Sequence, residues 1–300
     1  MGIRLFTEPK LHQPDMVVGW PGIGNIGVIT VDTLRQETGA EPLGDIEPWD
    51  FFYPNKVVIR GGVLEKLEFP SNKFYYKRLE DRDLLLFIGE EQPSERGRMY
   101  AEGGKAYEMA NLVLDVAEKF GCRRVYTSGA AVALTHHEMR PRVWAVATDD
   151  RLLAEAKGYI NTVLMSEAEG RGDFGNITGL NGLLTGVARK RGFEAICLMG
   201  EIPDYLSRVP FPYPRASQAV LEVLGSALGV PIDPKALESM ITQIEGVISN
   251  VFRQFPQEVR EKIDQRKRDV QTRPGIITDE EERWLKEHID DLFQRGEKGQ

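Results

Sequence analysis

Between residues 15 and 202, short apolar runs alternate with stretches of helical pattern, and this alternation restricts the chain to few folds. The apolar runs are MVVGW (16–20), DLLLFIG (83–89), RRVYTSGAAVA (123–133), VWAVAT (143–148) and AICLMGE (195–201). Near-continuous apolar runs are typical of strands that are covered on both faces, as in a parallel sheet. The helical stretches are 24–38, 98–120, 150–157 and 178–191. We therefore predict a three-layer α/β fold with a mixed, mostly parallel sheet flanked by helices.

Two regions depart from this alternation. Residues 56–79 predict two or three antiparallel strands separated by the turn residues GG and PSN. In 236–255, apolar residues recur at three- and four-residue steps, which predicts a long amphipathic helix that either completes the core or joins subunits. A last helix begins at Thr278, and Glu281 completes a capping box. We expect a core domain, 1–229, and a helical extension, 230–300, packed on the core or on a neighbouring subunit.

Composition excludes several classes of partner. The net charge of −8 gives no basic surface for nucleic acid or for an anionic membrane, and no apolar run reaches the roughly 20 residues that span a bilayer. The chain has two cysteines, Cys122 and Cys197, each beside a predicted buried strand. Buried, unpaired thiols are typical of a reducing compartment, so we expect a cytoplasmic protein without a cysteine-rich metal site.

A glycine turn follows the first apolar run. In VVGWPGIGNIGVIT, the residues Gly22, Gly24 and Gly27 have the G-x-G-x-x-G spacing of a dinucleotide-binding turn. That site also requires an acid about 20 residues further on, at the end of a second strand. Asp45 and Glu47 have this spacing, but AEPLGDIEPWD contains two prolines and a glycine, and we expect no apolar second strand that leads to the acid. We therefore expect no nicotinamide cofactor.

A second glycine-rich stretch, GDFGNITGLNGLLTG (172–186), leads into the predicted helix 178–191. It has two interpretations. Its glycines either permit close packing of the helix on the sheet, or they expose backbone N–H groups at the helix start to an anion or a carbonyl group. The sequence does not choose between them.

The loops that follow parallel strands lie along one edge of an open α/β sheet. Besides the two glycine stretches, these loops are EEQP (90–93), LTHHE (134–138) and EIPDY (201–205). Their acids and histidines are therefore expected near one another: Glu90, Glu91, His136, His137, Glu138 and Glu201. The candidate binding residues at this edge are Gly22, Gly24, Asn25, Gly27, Glu90, Glu91, Gln92, His136, Asn176, Thr178, Gly179 and Asn181.

This edge carries no recognisable catalytic or metal-binding motif. Adjacent histidines point to opposite faces of a strand, and neither H-x-x-x-H nor H-E-x-x-H occurs, so we expect no metal. The motifs G-x-S-x-G and G-x-x-x-x-G-K-[ST] are also missing, and we assign no catalytic residue.

Four segments in order resemble the proteasome assembly chaperone family of the second-subunit type, whose archaeal and bacterial members are single chains. They are GWPGIGNIG, IGEEQP, TSGAAVA and NITGLNGLLTGVARKRGFEAICLMGEIPDY, and the similarity covers about residues 15–245. The resemblance implies a fold like purine nucleoside phosphorylase, homo-oligomers, and binding of proteasome α-subunits or other protein partners by some archaeal relatives. The resemblance places Asn25 in the first family motif and Leu180 in the later one. It assigns no catalytic role to either motif.

One departure from the family limits how this chain would contact a proteasome. Relatives that dock through their extreme C-terminus end in a hydrophobic–Tyr–any tripeptide, whereas this chain ends Lys298-Gly299-Gln300. We therefore do not expect docking by that route.

Three functions remain in competition. The first is a non-enzymatic, homo-oligomeric, protein-binding assembly factor without a cofactor, whose partners are proteasome subunits or other protein complexes. The second is a ligase-like enzyme or ligand sensor, in line with the ATP-grasp-type label that the family has carried. A nucleotide or small carboxylate would then lie against the glycine-turn N–H groups, with Glu90 or Glu91 as the base. A dinucleotide oxidoreductase is third.

Overall fold

The computed structural model describes residues 2–94, 103–167 and 175–271. Its strands are β1 (Ile3–Leu5), β2 (Asp15–Gly19), β3 (Glu41–Ile46), β4 (Lys56–Arg60), β5 (Val63–Glu68), β6 (Asn72–Lys77), β7 (Leu84–Gly89), β8 (Arg124–Ala133), β9 (Val143–Ala147), β10 (Thr162–Leu164) and β11 (Glu194–Pro203). Its helices are α1 (Ile26–Thr38), α2 (Gly103–Lys119), α3 (Asp150–Lys157), α4 (Gly179–Lys190), α5 (Pro214–Leu228), α6 (Glu238–Arg253) and α7 (Gln257–Gln271).

Nine of the described strands form one sheet, in the order β1-β3-β6-β7-β2-β8-β11-β9-β10. The central strands β7, β2, β8 and β11 run parallel to their neighbours within this group. Strand β6 pairs antiparallel with β7 on one side, and β9 pairs antiparallel with β11 on the other. The predicted α/β fold with a mixed, mostly parallel sheet is confirmed.

The apolar strand runs are explained by burial on both faces of this sheet. Val17 points to the layer of α1, α3 and α5, whereas its neighbours Met16 and Val18 point to the layer of α2 and α4. All three side chains are fully buried. Because successive strand residues face opposite layers, a central strand needs apolar residues at every position. None of the described helices combines the length and apolar content that crossing a bilayer requires.

No apolar strand was expected to lead to Asp45, and the structure has a strand of mixed composition there, β3 (Glu41–Ile46), which includes Asp45. Its register shifts between Pro42 and Gly44, and this bulge accommodates the proline within the pairing with β6. A Cβ at Gly44 would lie 2.4 Å from the Arg4 carbonyl oxygen, so glycine permits the approach of β1. Strands β6 and β7 separate β3 from β2, and Asp45 therefore lies away from the glycine turn.

The region 56–79 and the C-terminal region follow the sequence prediction in outline. Strands β4 and β5 form a separate antiparallel hairpin, while β6 joins the main sheet. The predicted helix 236–255 is present as α6, and α5 ends at Leu228 with Gly229 in the left-handed conformation. The predicted segments 98–102, 172–174 and 278–293, with the Thr278 capping box, lie outside the described residues. The division of the chain at residue 229 stays a prediction.

Candidate functional site

The glycine turn lies between β2 and α1, where a short 3₁₀ turn covers Ile23–Asn25. Gly24 and Asn25 are both left-handed, with φ of 61° and 51°. The carbonyl oxygen of Gly24 accepts a hydrogen bond of 2.8 Å from the backbone N–H of Tyr213, at the start of α5. The turn is therefore tied by its backbone to a neighbouring helix of the same chain.

The spacing of the glycines is explained by contact between polypeptide segments. A Cβ at Gly27 would lie 2.3 Å from the carbonyl oxygen of Ser128 on β8. A Cβ at Gly24 would lie 2.9 Å from the Cβ of Tyr213. A Cβ at Gly22, in contrast, would meet nothing within 4 Å. Two of the three glycines thus permit α1, β8 and α5 to pack closely, as the absence of a side chain allows.

A cavity of about 200 Å³ lies beside this turn, at the carboxyl ends of β2 and β8 and at the start of α4. Of the predicted binding residues, Gly22, Gly27, Gln92, Asn176, Thr178 and Asn181 line it. Trp20, Trp144, Met165 and Met199 also line it, and the sequence analysis missed them. Trp20 could have been predicted from the sequence, because it directly precedes the turn. The sequence does not show that β9 and β11 are adjacent strands, so it could not predict the residues that these strands contribute.

Gln92 joins the two glycine-rich segments. Its Nε2 donates to the carbonyl oxygen of Pro21 at 2.6 Å, and its Oε1 accepts from the backbone N–H of Leu180 at 3.0 Å. Gly179, with φ of 76°, leaves room for this contact, since a Cβ there would lie 2.9 Å from Gln92 Oε1. A backbone N–H at the start of α4 is therefore satisfied by the chain's own amide rather than left free for an anion.

The remaining polar surface of the cavity is neutral. None of the cavity-lining residues that the structure describes is charged. Asn181 Oδ1 is buried and has no hydrogen-bond partner among the described residues. The side-chain amide nitrogen of Asn181 lies against Gly129, where a Cβ would meet it at 2.5 Å. These walls match a small, neutral, amide-like ligand better than a phosphate.

The predicted acids do not line the cavity. The carboxylate of Glu90 accepts a 2.8 Å hydrogen bond from the backbone N–H of Ser71, and Glu91 is exposed. Glu201 is buried, and its Oε1 accepts from the Trp144 indole N–H at 2.7 Å and from Arg142 Nε at 3.0 Å. Glu201 therefore anchors β9 to β11, which is a structural task.

His136 lies in a second cluster, beneath α6 and α7. Its ring stacks on His137 with centroids 4.3 Å apart, and the edge of Phe252 closes over it. The hydroxyl of Tyr205 accepts from the backbone N–H of His137 at 2.9 Å and lies 2.7 Å from its Nδ1. Because a hydroxyl can both donate and accept, this contact ties the His137 ring to Tyr205 in either tautomer of the ring.

The two histidines are held neutral by burial. Burial lowers the pKa of His136, and burial together with the neighbouring His136 lowers the pKa of His137 to about 4. Within the described residues, no group of three or more His, Cys, Asp or Glu side chains is arranged to hold a metal ion. His136 contacts Phe252 of α6 and Asp264 of α7, and neither it nor Glu90 is among the residues that line the glycine-turn cavity.

The comparisons with known proteins agree with this architecture. Residues 16–251 match the sequence profile of the PAC2 family. PbaB from Pyrococcus furiosus, an archaeal proteasome activator, is 30% identical, with a TM-score of 0.67, over 83% of this chain and 97% of that chain. An uncharacterised protein from Methanocaldococcus jannaschii is 28% identical over 254 residues, which are 84% of this chain and 87% of that protein.

A more distant structure shares the fold alone. The proteasome-assembly chaperone homologue from Mycobacterium tuberculosis is 22% identical, with a TM-score of 0.61, over 81% of this chain and 97% of that chain.

Proposed function

Because this chain belongs to the PAC2 family, we propose that it is a non-enzymatic assembly factor that self-associates and binds a multi-subunit protein complex in the cytoplasm. The proteasome is the first target to test. The observation that carries this proposal is the 30% identity to an archaeal proteasome activator over nearly the whole length of that activator. The unpaired cysteines Cys122 and Cys197 are consistent with a reducing compartment.

The geometry of the glycine turn supports a protein-binding rather than a dinucleotide-binding function. The second glycine of a dinucleotide site lets the backbone approach the pyrophosphate, but here a Cβ at Gly24 would lie 2.9 Å from the Cβ of Tyr213, at the start of α5. The N–H of Leu180 is engaged by Gln92. Both contacts are made within the chain, which supports a packing role for these two positions.

Ordinary association is a sufficient mechanism. An oligomer presents the same weak contact surface several times to a target that repeats its own subunits. Simultaneous engagement then raises the overall affinity well above that of one contact, by a factor on the order of 10²–10⁴.

The test mixes the purified chain with archaeal proteasome core particles and measures the masses of intact complexes by native mass spectrometry. We expect an oligomer of this chain bound to the core particle, and binding that weakens steeply when the chain is diluted to its monomer. A chain that stays monomeric and does not bind core particles, and that captures no defined complex from a native lysate, contradicts the proposal.

A second candidate function, binding of a small ligand, is favoured by the cavity beside the glycine turn. Its described walls offer the amides of Gln92, Asn176 and Asn181 together with apolar surface from Trp20 and Met199. Such walls suit a neutral ligand with both donors and acceptors, for example an uncharged nucleoside, rather than a nucleotide or a carboxylate. Ligand binding and protein binding are compatible, so this candidate adds to the first one.

A further inference from the structure

One row of residues across the sheet places a glycine between two polar side chains. Asn72, at the start of β6, is the register partner of Gly89, at the end of β7. Gly19, the last residue of β2, is in register with Ile88, and Trp20 therefore follows beside Gly89. Asn72, Gly89 and Trp20 thus lie side by side at the carboxyl ends of β2 and β7.

The indole ring of Trp20 lies across the glycine of this row. Trp20 belongs to the buried cluster on the α2 and α4 side of the sheet, together with Phe74 and Phe87. Asn72 is two residues from Phe74 on β6, so its side chain points to the same side. A Cβ at Gly89 would lie 2.3 Å from Trp20 Cδ1 and 2.4 Å from Trp20 Nε1. The absence of a side chain at Gly89 therefore lets the ring extend across β7 towards Asn72.

Three polar atoms of this row are buried without a partner. Trp20 Nε1, Asn72 Oδ1 and Asn72 Nδ2 have no hydrogen-bond partner among the described residues. Both side chains are 1% exposed, so they have no access to bulk solvent. A Cβ at Gly89 would lie 2.4 Å from Trp20 Nε1 and 3.0 Å from Asn72 Oδ1, which places the two atoms around the same point. Unpaired polar groups are costly in a buried place, and native proteins rarely leave several of them together.

The chemistry of these atoms defines the molecule that fits between them. The indole Nε1–H and the amide Nδ2–H groups donate hydrogen bonds, and the amide Oδ1 accepts them. Neither side chain carries a charge that would favour a metal ion or an anion. A buried water molecule typically makes about three hydrogen bonds to otherwise unpaired polar groups. Two hydrogen bonds through one water molecule span about 5–6 Å, and the positions of Nε1 and Oδ1 around Gly89 are within that reach.

We propose that one water molecule is bound between Trp20 and Asn72 and belongs to the folded structure. Its oxygen accepts a hydrogen bond from the indole N–H of Trp20, and it shares hydrogen bonds with the side-chain amide of Asn72. Trp20 also lines the cavity beside the glycine turn. The water molecule therefore holds one wall of that cavity in place. This inference is independent of self-association and of whether the cavity binds a ligand.

A high-resolution crystal structure of the full chain tests the site directly. We expect one ordered water molecule within about 3.2 Å of Trp20 Nε1 and within the same distance of an Asn72 amide atom. A direct hydrogen bond from the indole N–H to Asn72 Oδ1, with no water molecule between them, overturns the proposal. Density for a larger molecule, or no density, between the two side chains overturns it as well.

Nuclear magnetic resonance tests the same contact in solution. The chain has four tryptophans, so the indole N–H signals can be assigned by single substitutions such as Trp20→Phe. We expect a rotating-frame cross-peak between the Trp20 indole proton and water. Trp144 is the internal control, because its buried indole N–H donates to Glu201 at 2.7 Å, and we expect no such cross-peak from it. A missing Trp20 cross-peak contradicts the bound water.

The variant Asn72→Leu removes the amide and keeps a side chain of similar size. We expect loss of the Trp20–water cross-peak, whereas the Trp144 signal stays as it is. Asn55→Leu, at an exposed position, is the matched control and should leave both signals unchanged. A Trp20 cross-peak that persists in folded Asn72→Leu overturns the proposed bridge. If Asn72→Leu does not fold, the wild-type density and cross-peak still decide the proposal.

Discussion

At the scale of single residues, three glycines with a well-known spacing have different tasks. Gly24 and Gly27 lie where other parts of the chain come within contact distance, whereas Gly22 has open space around it. In a dinucleotide-binding turn the first glycine permits the tight turn, the second lets the backbone approach the pyrophosphate, and the third permits close packing of the helix on a strand. The position that differs here is therefore Gly24, which lies against Tyr213. Here the first glycine is dispensable for packing, and the third is the point at which α1 touches β8.

The variant Gly27→Ala tests this assignment through stability. Alanine raises intrinsic helix propensity by about 1 kcal/mol. Its Cβ, however, would lie 2.3 Å from a backbone oxygen, which cannot move without shifting β8. Overpacking costs about 1–3 kcal/mol, and a contact this short with a backbone atom belongs at the upper end, about 3 kcal/mol. After the gain in helix propensity we expect a net loss of about 2 kcal/mol in the free energy of unfolding, measured with urea.

Gly22→Ala is the matched control. The backbone there has φ of −166°, which any residue adopts, and a Cβ meets nothing within 4 Å. We expect a change below about 0.5 kcal/mol. Equal effects of the two substitutions would contradict the packing explanation of the glycine spacing.

At the scale of elements, helix α7 is attached to the core chiefly by polar contacts. Lys267 Nζ lies 2.7 Å from Glu138 Oε2, and Asp264 Oδ1 lies 3.2 Å from His136 Nε2. Arg266 pairs with Asp204 at the end of β11, and Ile263 adds one buried apolar side chain. The segment 136–138 thus serves as the platform for the C-terminal helices and not as part of the glycine-turn cavity.

This platform makes stability depend on pH. In the folded protein burial lowers the pKa of His137 to about 4, whereas an unfolded chain has a histidine pKa near 6.5. Between these values the unfolded state binds a proton that the folded state does not. The contribution of His137 is therefore complete above pH 6.5 and is lost as the pH falls towards 4, by about 3 kcal/mol in total.

The measurement is the free energy of unfolding between pH 7 and 4, compared with that of His137→Gln. We expect the variant to have a shallower slope in this window, although its stability at pH 7 is lower because the Tyr205 contacts change. His12→Gln, at an exposed position, is the control and should leave the slope unchanged. The Glu138 pKa is lowered by Lys267, so its contribution is lost at lower pH and does not account for a difference near pH 6. An unaltered slope in His137→Gln would refute this assignment.

At the scale of the whole molecule, ligand binding and self-association have different effects on stability. A ligand in the cavity at the carboxyl ends of the strands, whose described walls are neutral, would stabilise the native state. Association of subunits would instead make stability depend on protein concentration. The two functions can therefore be separated by thermal unfolding alone.

A panel of ATP, NAD, phosphate and uncharged nucleosides tests the cavity. A ligand bound only by the native state adds about 2.7 kcal/mol at 100 times its Kd, which raises the Tm measurably. Because the described cavity walls are neutral, we expect no shift with ATP, NAD or phosphate. A shift with a nucleoside that is lost in Asn181→Leu would support the second candidate function. A concentration-dependent shift with ATP or NAD would contradict the neutral-ligand assignment.

The sequence by itself determined the layers of this protein. Strands β2, β7, β8 and β11 are buried on both faces, so most of their residues are apolar, and these apolar runs are enough to identify the strands. The helices between them carry their own periodicity and terminating glycines, which are also local signals. The family resemblance, which the match to residues 16–251 confirms, depended on the same local motifs.

Only the tertiary structure decided which residues share a site. Strand β3, between β1 and β6, contains a proline and a glycine that a bulge accommodates, and no local pattern reveals a bulge. The order of strands places Trp144 and Met199 beside the glycine turn, whereas His136 lies under α7. From the sequence alone, all the loops that follow strands are expected at one edge of the sheet. A site is assembled from segments that are distant along the chain. Which segments become neighbours depends on how the whole chain packs, and this cannot be predicted from any one segment.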